Sequence, residues 1–447
     1  MSKAISRRNF LMATGAVGAA GLLAACGGNS AASSTASSAA SQAPAASADE
    51  SLALSDGPVN LSISWWGGDS RHAAYQSALE AFQAEHSNIT VEPTFAAWSG
   101  WEEKMAAAFI AGNAQDVCQV NWNWLYNYSA DGSKFVDLNT TSKFIDLTQW
   151  DAAAMDACYV ANSQQCVPVS MTGRIFYWNM TTFNKAGITE VPKSLDDLMA
   201  AGKAFQEKLG NDYYPMHLGA YDRMILMVFY LESKYGKDWA DPVTSTLNYT
   251  EEEIAEGLAF IKSLVDNHVM MNLKTYYSAN SDTATHQSNE WITGKIAGIF
   301  EWDSAATKYS SALDDSNKDG FTVGEEIKFG DNNGGFSKVS MGLAITKTCK
   351  NVAEAATLIN FLLNEEKGAS IMGSECGIPA SKAGLKFAQD AGAVKALIAE
   401  ANAKVMAFTT NKLDPLFENN DLKASGTGIY QEVFDNIDYG DQTPEEA

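Results

Sequence analysis

Tryptophan is the residue that stands out in this chain, by where it falls more than by how often. Six of the eleven tryptophans fall between residues 65 and 124, as the pairs Trp65 and Trp66, Trp98 and Trp101, Trp122 and Trp124. Polar groups with two-pronged hydrogen-bonding capacity sit among them: Asp69 and Arg71 after the first pair, Asn121 and Asn123 interleaved with the third. The second half offers Arg174, the run Tyr221-Asp222-Arg223 and the run Glu301-Trp302-Asp303. Sugar rings carry apolar C–H faces and a rim of hydroxyls. Indoles cover such faces, while carboxylates, amides and guanidinium groups bond the rim. A site for an amino acid or a metal would not need this much aromatic surface. Trp66, Trp98, Trp101, Trp122, Trp124 and Trp302 are therefore candidate ring platforms. Asp69, Arg71, Arg174, Tyr221, Asp222, Glu301 and Asp303 are candidate hydroxyl partners. The competing role for each tryptophan is plain packing under a loop, since the residue is highly buried on average.

Other chemistries fit the chain less well. A glycosidase needs two carboxyls at a fixed separation across one bond, and no spacing among Asp69, Asp222, Glu301 and Asp303 supplies that. No G-x-S-x-G motif supports a serine nucleophile, and the five histidines show no ligand spacing such as H-x-x-x-H. The run from Asp315 to Gly320, with Glu326 beyond it, fits the calcium-loop template. Thr322 replaces the aliphatic residue at its eighth position, and a strand-like segment follows instead of a helix; an acidic turn reads equally well. The expectation is a binding protein with no cofactor, no metal and no catalytic residue. The arginines leave open an acidic sugar, a uronate oligomer, as the alternative to a neutral one.

The elements that position these residues follow from periodicity. Residues 59–66 alternate apolar and polar side chains and read as a strand. A turn with helix-start chemistry follows, then helical spacing over 73–85. Residues 89–95 and 116–121 read as further strands and 101–111 as a helix. The pattern resumes with a strand over 174–179 and helices near 194–209, 223–235 and 251–267. Strands separated by helices of this length predict an α/β fold with βαβ units and a mostly parallel sheet. Ligands of open α/β sheets bind beyond the carboxyl ends of the strands, and the tryptophan pairs stand at those ends.

Composition marks the N-terminal residues off from the rest of the chain. Arg7 and Arg8, an apolar run to Ala25 and then Cys26 read as an export signal, residues 1–25. The apolar run is shorter than a bilayer requires. Residues 26–55 are dominated by Ser, Ala, Gly, Gln and Thr, the composition of a solvated tether. The paired arginines resemble a twin-arginine address, with general export as the equal alternative, and Leu23-Ala24-Ala25-Cys26 resembles a lipobox, which implies a diacylglycerol on Cys26 and a body held at the outer face of the membrane. The formal net charge of −23 argues against nucleic acid and against direct adsorption on anionic lipid. Besides Cys26 there are five cysteines; Cys158 and Cys166 are close enough in sequence to bridge a loop, and buried thiols are the alternative.

The segments 65–72 (WWGGDSRH) and 111–117 (AGNAQDV) are similar to the start of the family 1 extracellular solute-binding proteins, the sugar-capturing lipoproteins of bacterial ABC importers. Residues 177–187 (YWNMTTFNKAG), 294–298 (GKIAG), 351–363 and 377–379 (GIP) resemble later family segments in the same order. Gln115 departs from the usual proline, and Trp178-Asn179 from the common Tyr-Asn. The resemblance spans roughly residues 58–440 and implies two α/β lobes, a periplasmic-binding-protein-like fold with the ligand cleft between lobes joined by hinge crossings. The implied lobes are 56–165 with 328–375, and 166–327 with 376–447. It further implies capture of an oligosaccharide by lobe closure, delivery to membrane permease subunits, and a monomer. A surface adhesin or sensor that binds sugar without transport is the alternative outside transport.

Overall fold

The computed structural model describes residues 48–98, 100–241, 246–281, 283–424 and 426–447. The expected export signal, Cys26 and most of the expected tether lie outside the described residues. The tether's last residues lie on the body. Asp49 donates its amide to the Thr140 carbonyl at 2.9 Å, and the Ser55 amide reaches Glu354 at 2.6 Å.

Eight strands form one sheet. They are β1 (Val59–Trp66), β2 (Ile89–Ala96), β3 (Val117–Val120), β4 (Val167–Asn179), β5 (Gly298–Trp302), β6 (Phe321–Val323), β7 (Phe336–Ile345) and β8 (Asn411–Lys412). Their order is β6-β4-β7-β3-β1-β2, with β8 beside β7 and β5 beside β4. The first three strands pair in parallel, Val59 opposite Ile89 and Ile63 opposite Val117, with helices α1 (Asp69–Glu85) and α2 (Trp101–Ala111) as crossovers. This is the βαβ pattern the sequence predicts.

Elsewhere the expectation of a mostly parallel sheet is corrected. β7 runs antiparallel to β3 and to β4, and β4 runs antiparallel to β5 and β6; only the short β7–β8 pair is parallel. The reason is connectivity. β4 and β7 enter through long segments from distant parts of the chain, so no strand–helix–strand unit dictates their direction.

β4 is the pivot of this architecture. Its first part pairs with β7, ending with Gly173 opposite Ser337. From Arg174, opposite Trp302, it pairs with β5 and then β6. One continuous thirteen-residue strand thus serves two ladders. Two sets of helices accompany them. α1 packs on β2 and α6 (Val352–Asn364) on β7, beside the first ladder. Beside the second, α4 (Ala220–Tyr235) packs on α5 (Glu251–Asp266), α7 (Ala396–Phe408) on β4, and α8 (Ile429–Tyr439) on α4, with α3 (Leu195–Leu209) further along the chain. Local chemistry sets the ends of these helices. Ser194 caps α3 by accepting from the Asp197 amide, and Thr250 with Glu253 forms a reciprocal capping box on α5.

The five cysteines of the body, Cys118, Cys158, Cys166, Cys349 and Cys376, are buried thiols, so Cys158 and Cys166 do not bridge. Among the described residues no helix is long and apolar enough to cross a membrane.

Candidate functional site

The sheet brings most of the candidate residues into two groups. Trp66 ends β1 and Trp98 follows β2, their rings meeting edge-on at 5.1 Å between centroids. Trp124, after β3, stacks on Trp98 at 6.2 Å and lies 5.5 Å from Trp66. Trp98 is 40% exposed, whereas Trp66 and Trp124 are buried. The buried Trp124 indole donates to Glu102 at 3.0 Å, which anchors it to the first turn of α2.

The second group surrounds Arg174, at the point where β4 changes partners. Its Nη1 lies 2.8 Å from Asp222 and 3.0 Å from Glu301, and donates to the Phe300 carbonyl at 2.9 Å. The guanidinium sits 4.2 Å from the Trp302 ring and 5.6 Å from Tyr221. Burial works against the Arg174 charge, but Glu301 and Asp222 outweigh it and raise its pKa. Burial also pushes the Asp222 carboxyl up to about 6, against the pull of Arg174. Glu301 is held below its usual range, because Arg174 and Lys308 overcome its burial.

Between the two groups runs a polar seam that sequence reading missed. Lys338, on β7, is paired with Glu418 and stands 4.6 Å from the Trp302 ring and 6.0 Å from Trp122. Glu418, in the short turn Pro415–Glu418, accepts from the Tyr221 hydroxyl at 3.0 Å and from the Asn121 amide at 3.4 Å. Lys423 lies 3.4 Å from Glu102 and 4.0 Å from Glu418, and 5.7 Å from the Trp98 ring. Burial works to raise the Glu418 carboxyl, yet Lys338 and Lys423 hold it down at about 2. Lys338 carried a faint signal, since it stands at a buried position of a strand where its neighbours Phe336 and Val339 are apolar. Glu418 carried none, being one acid in a polar turn.

Other candidates are packed beside these groups or away from them. Trp101 is fully buried on the inner face of α2, beneath Lys104. Trp65 is interior packing, stacked on Tyr75 at 4.5 Å and Phe95 at 4.8 Å. Trp122 is nearly buried, its indole donating to the Ala157 carbonyl at 3.1 Å. Asp69 is exposed at the start of α1, and Arg71 donates to the Glu375 and Trp66 carbonyls at 2.9 and 3.1 Å. Asp303 is buried with Thr172 at 2.5 Å and Asn402 at 2.6 Å, and burial raises its carboxyl to about 6. The calcium-template residues do not converge. Asp315 faces outward on Lys318, while Asn317 turns inward to Asn179. Among the described residues no cluster of His, Cys, Asp and Glu is arranged to hold a metal.

The arrangement supplies an exposed indole, two electroneutral ionic clusters and several buried hydrogen-bonding groups along one seam. Lys338 and Lys423 face Glu418 and Glu102; Arg174 and Lys308 face Asp222 and Glu301. Both carboxylates next to Arg174 are committed to it, which suits binding better than acid–base work.

The family model described as bacterial extracellular solute-binding protein matches residues 68–369. A periplasmic oligogalacturonide-binding protein from Yersinia enterocolitica, solved with saturated digalacturonic acid, is 34% identical over 87% of this chain and 95% of its own, with a TM-score of 0.80. A periplasmic solute-binding protein from Pectobacterium atrosepticum is 33% identical with the same coverage and a TM-score of 0.81. The diacetylchitobiose-binding protein DasA of Streptomyces coelicolor is 22% identical over 305 residues, 66% of this chain. The match spans 63% of the length of DasA, and 49% of that of a binding protein from Brucella abortus.

Proposed function

The chain belongs to the bacterial extracellular solute-binding proteins, and from that premise we propose that it captures a neutral oligosaccharide for an ABC importer. The observation that carries this reading is the seam itself, where an exposed indole and buried, charge-balanced polar groups line one path. Indoles take the sugar faces, and the polar groups take the hydroxyls. Charge balance favours a neutral ligand, because a bound carboxylate would leave an uncompensated charge in a buried place.

The lobes in this proposal are 56–165 with 328–375 and 166–327 with 376–447; the second begins just before β4, whose first part still pairs with β7 of the first. A sugar touching both lobes stabilises the closed form over the open one and shifts the population toward it. Membrane permease subunits then recognise the closed form. The chain acts as a monomer without catalysis, held at the outer face of the cell membrane by lipid on Cys26. ATP hydrolysis belongs to another chain.

A second reading has one specific observation in its favour, the 34% identity to a protein solved with digalacturonic acid. In that case the cargo is a uronate oligomer, and the cations of the seam, Arg174, Lys338 and Lys423, are the groups that its carboxylates meet. Calorimetric titration of residues 27–447 against neutral and uronic oligosaccharides, with product analysis afterwards, separates the readings. One neutral sugar bound and recovered intact is the expected result. Preference for the uronate establishes the second reading, cleaved sugar an enzyme, and no binding removes carbohydrate altogether.

A further inference from the structure

The loop 121–124 after β3 alternates amides with indoles, Asn-Trp-Asn-Trp. The Asn121 amide nitrogen donates to Glu418 Oε2 at 3.4 Å, and that of Asn123 to the Glu418 backbone carbonyl at 3.0 Å. Both acceptors accept only, so Glu418 dictates which way each amide is turned. The two amide oxygens lie on the opposite branches, and neither has a hydrogen-bond partner among the described residues. Asn121 is 7% exposed and Asn123 0%. Arg174 Nε, across the seam, is also buried and unpartnered among the described residues. Buried polar atoms are almost always satisfied, and two exceptions on amides held by the same residue, with a third on Arg174, require a reason.

We propose that Asn121 and Asn123 form a hydroxyl-reading pair. Each Oδ1 accepts from one of two neighbouring ring hydroxyls of a pyranose lying against the tryptophans, and Arg174 Nε donates to an oxygen of the same ligand. Glu418 is the positioning residue, since it acts on the ligand through the two amides. The pair demands donors, so a carboxylate does not fit there; a uronate would meet it through its hydroxyls. This assignment rests on the carbohydrate reading and holds for either sugar class. A site built to bond a hydroxyl discriminates strongly against an analogue lacking one, because its buried acceptors are then left unpaired.

The test uses residues 27–447, which include the whole compact unit Ala46–Ala447. Titration with cellobiose, maltose, galactobiose, diacetylchitobiose and digalacturonic acid first finds a binder. Its mono-deoxyfluoro derivatives are then titrated, fluorine having nearly the size of a hydroxyl and no proton to donate. Two adjacent positions should each lose up to roughly 100-fold in affinity, the cost of leaving one buried acceptor unpaired, and the remaining positions far less. In Asn121→Ala and Asn123→Ala, one of those two losses should vanish in each variant. Equal affinity for every derivative overturns the proposal, as does undiminished binding by both folded variants. If the variants do not fold, the derivative series on the unaltered chain decides alone. If none of the five sugars binds, the carbohydrate reading fails and this assignment falls with it; binding with a flat derivative series removes the assignment only.

Discussion

At the scale of single residues, the site divides into groups that meet solvent and groups that hold them. Trp98 is the most exposed indole of its cluster, so Trp98→Ala should weaken sugar binding by about 1–3 kcal/mol with little change in melting temperature. Calorimetry with the preferred sugar and a thermal melt check both halves of that statement. Lys338 and Glu418 behave differently, because both are buried. Lys338→Met leaves Glu418 without its nearest cation and should cost about 3–5 kcal/mol of stability at neutral pH. The folded Glu418 carboxyl is depressed to about 2, so its contribution is present above the usual carboxylate range and lost as pH falls toward 2. The gap between the two melting temperatures should therefore narrow steadily below about pH 4.5. A constant gap down to pH 2 would remove the pair from the stability of the fold. Trp66, Trp98 and Trp124 stand out in the sequence as indoles at strand ends, but nothing there separates them from Trp65 and Trp101, which pack inside. Glu418 does not stand out, because its importance comes from three neighbours that approach it from Asn121, Tyr221 and Lys338, each from a distant part of the chain.

At the scale of elements, legibility followed the range of the pairing. The strands of the parallel ladder were readable because each helix between them forces the direction of the next strand. The change of partner within β4 was not readable, since thirteen residues of near-continuous burial carry no mark of where one neighbour ends and another begins. Gly173 stands at that change. A Cβ there would meet Val405 Cγ1 at 2.5 Å and the Phe336 carbonyl oxygen at 2.8 Å, and backbone cannot give way cheaply. Gly173→Ala should accordingly destabilise by about 1–3 kcal/mol, seen as a lower denaturant midpoint. The same insertion pushes β4 away from β7 beside Arg174, so sugar affinity should fall as well. Unchanged affinity would mean that the ladder and the site are mechanically independent.

At the scale of the whole molecule, the C-terminal helix is tied inward by one buried ion pair. Arg223 on α4 meets Asp438 on α8 at 2.8 Å, and Asp438 also accepts from the Leu273 amide at 2.7 Å. Asp438→Ala strands the Arg223 charge and should cost about 3–5 kcal/mol, with hydrogen exchange rising first along residues 429–439. Uniform exchange across the chain would show instead that this helix unfolds only with everything else. The buried thiols bear on a different matter, the making and handling of the protein. With every cysteine of the body reduced and enclosed, reaching the native state calls for no oxidant and no isomerase. Folding can finish on either side of a membrane, and oxidants outside the cell find no accessible sulfur on the body. The same property makes the body a convenient host for spectroscopy. One cysteine introduced at an exposed position, such as Asp69, would be its sole reactive handle for a dye, and so a direct check of the proposed lobe closure.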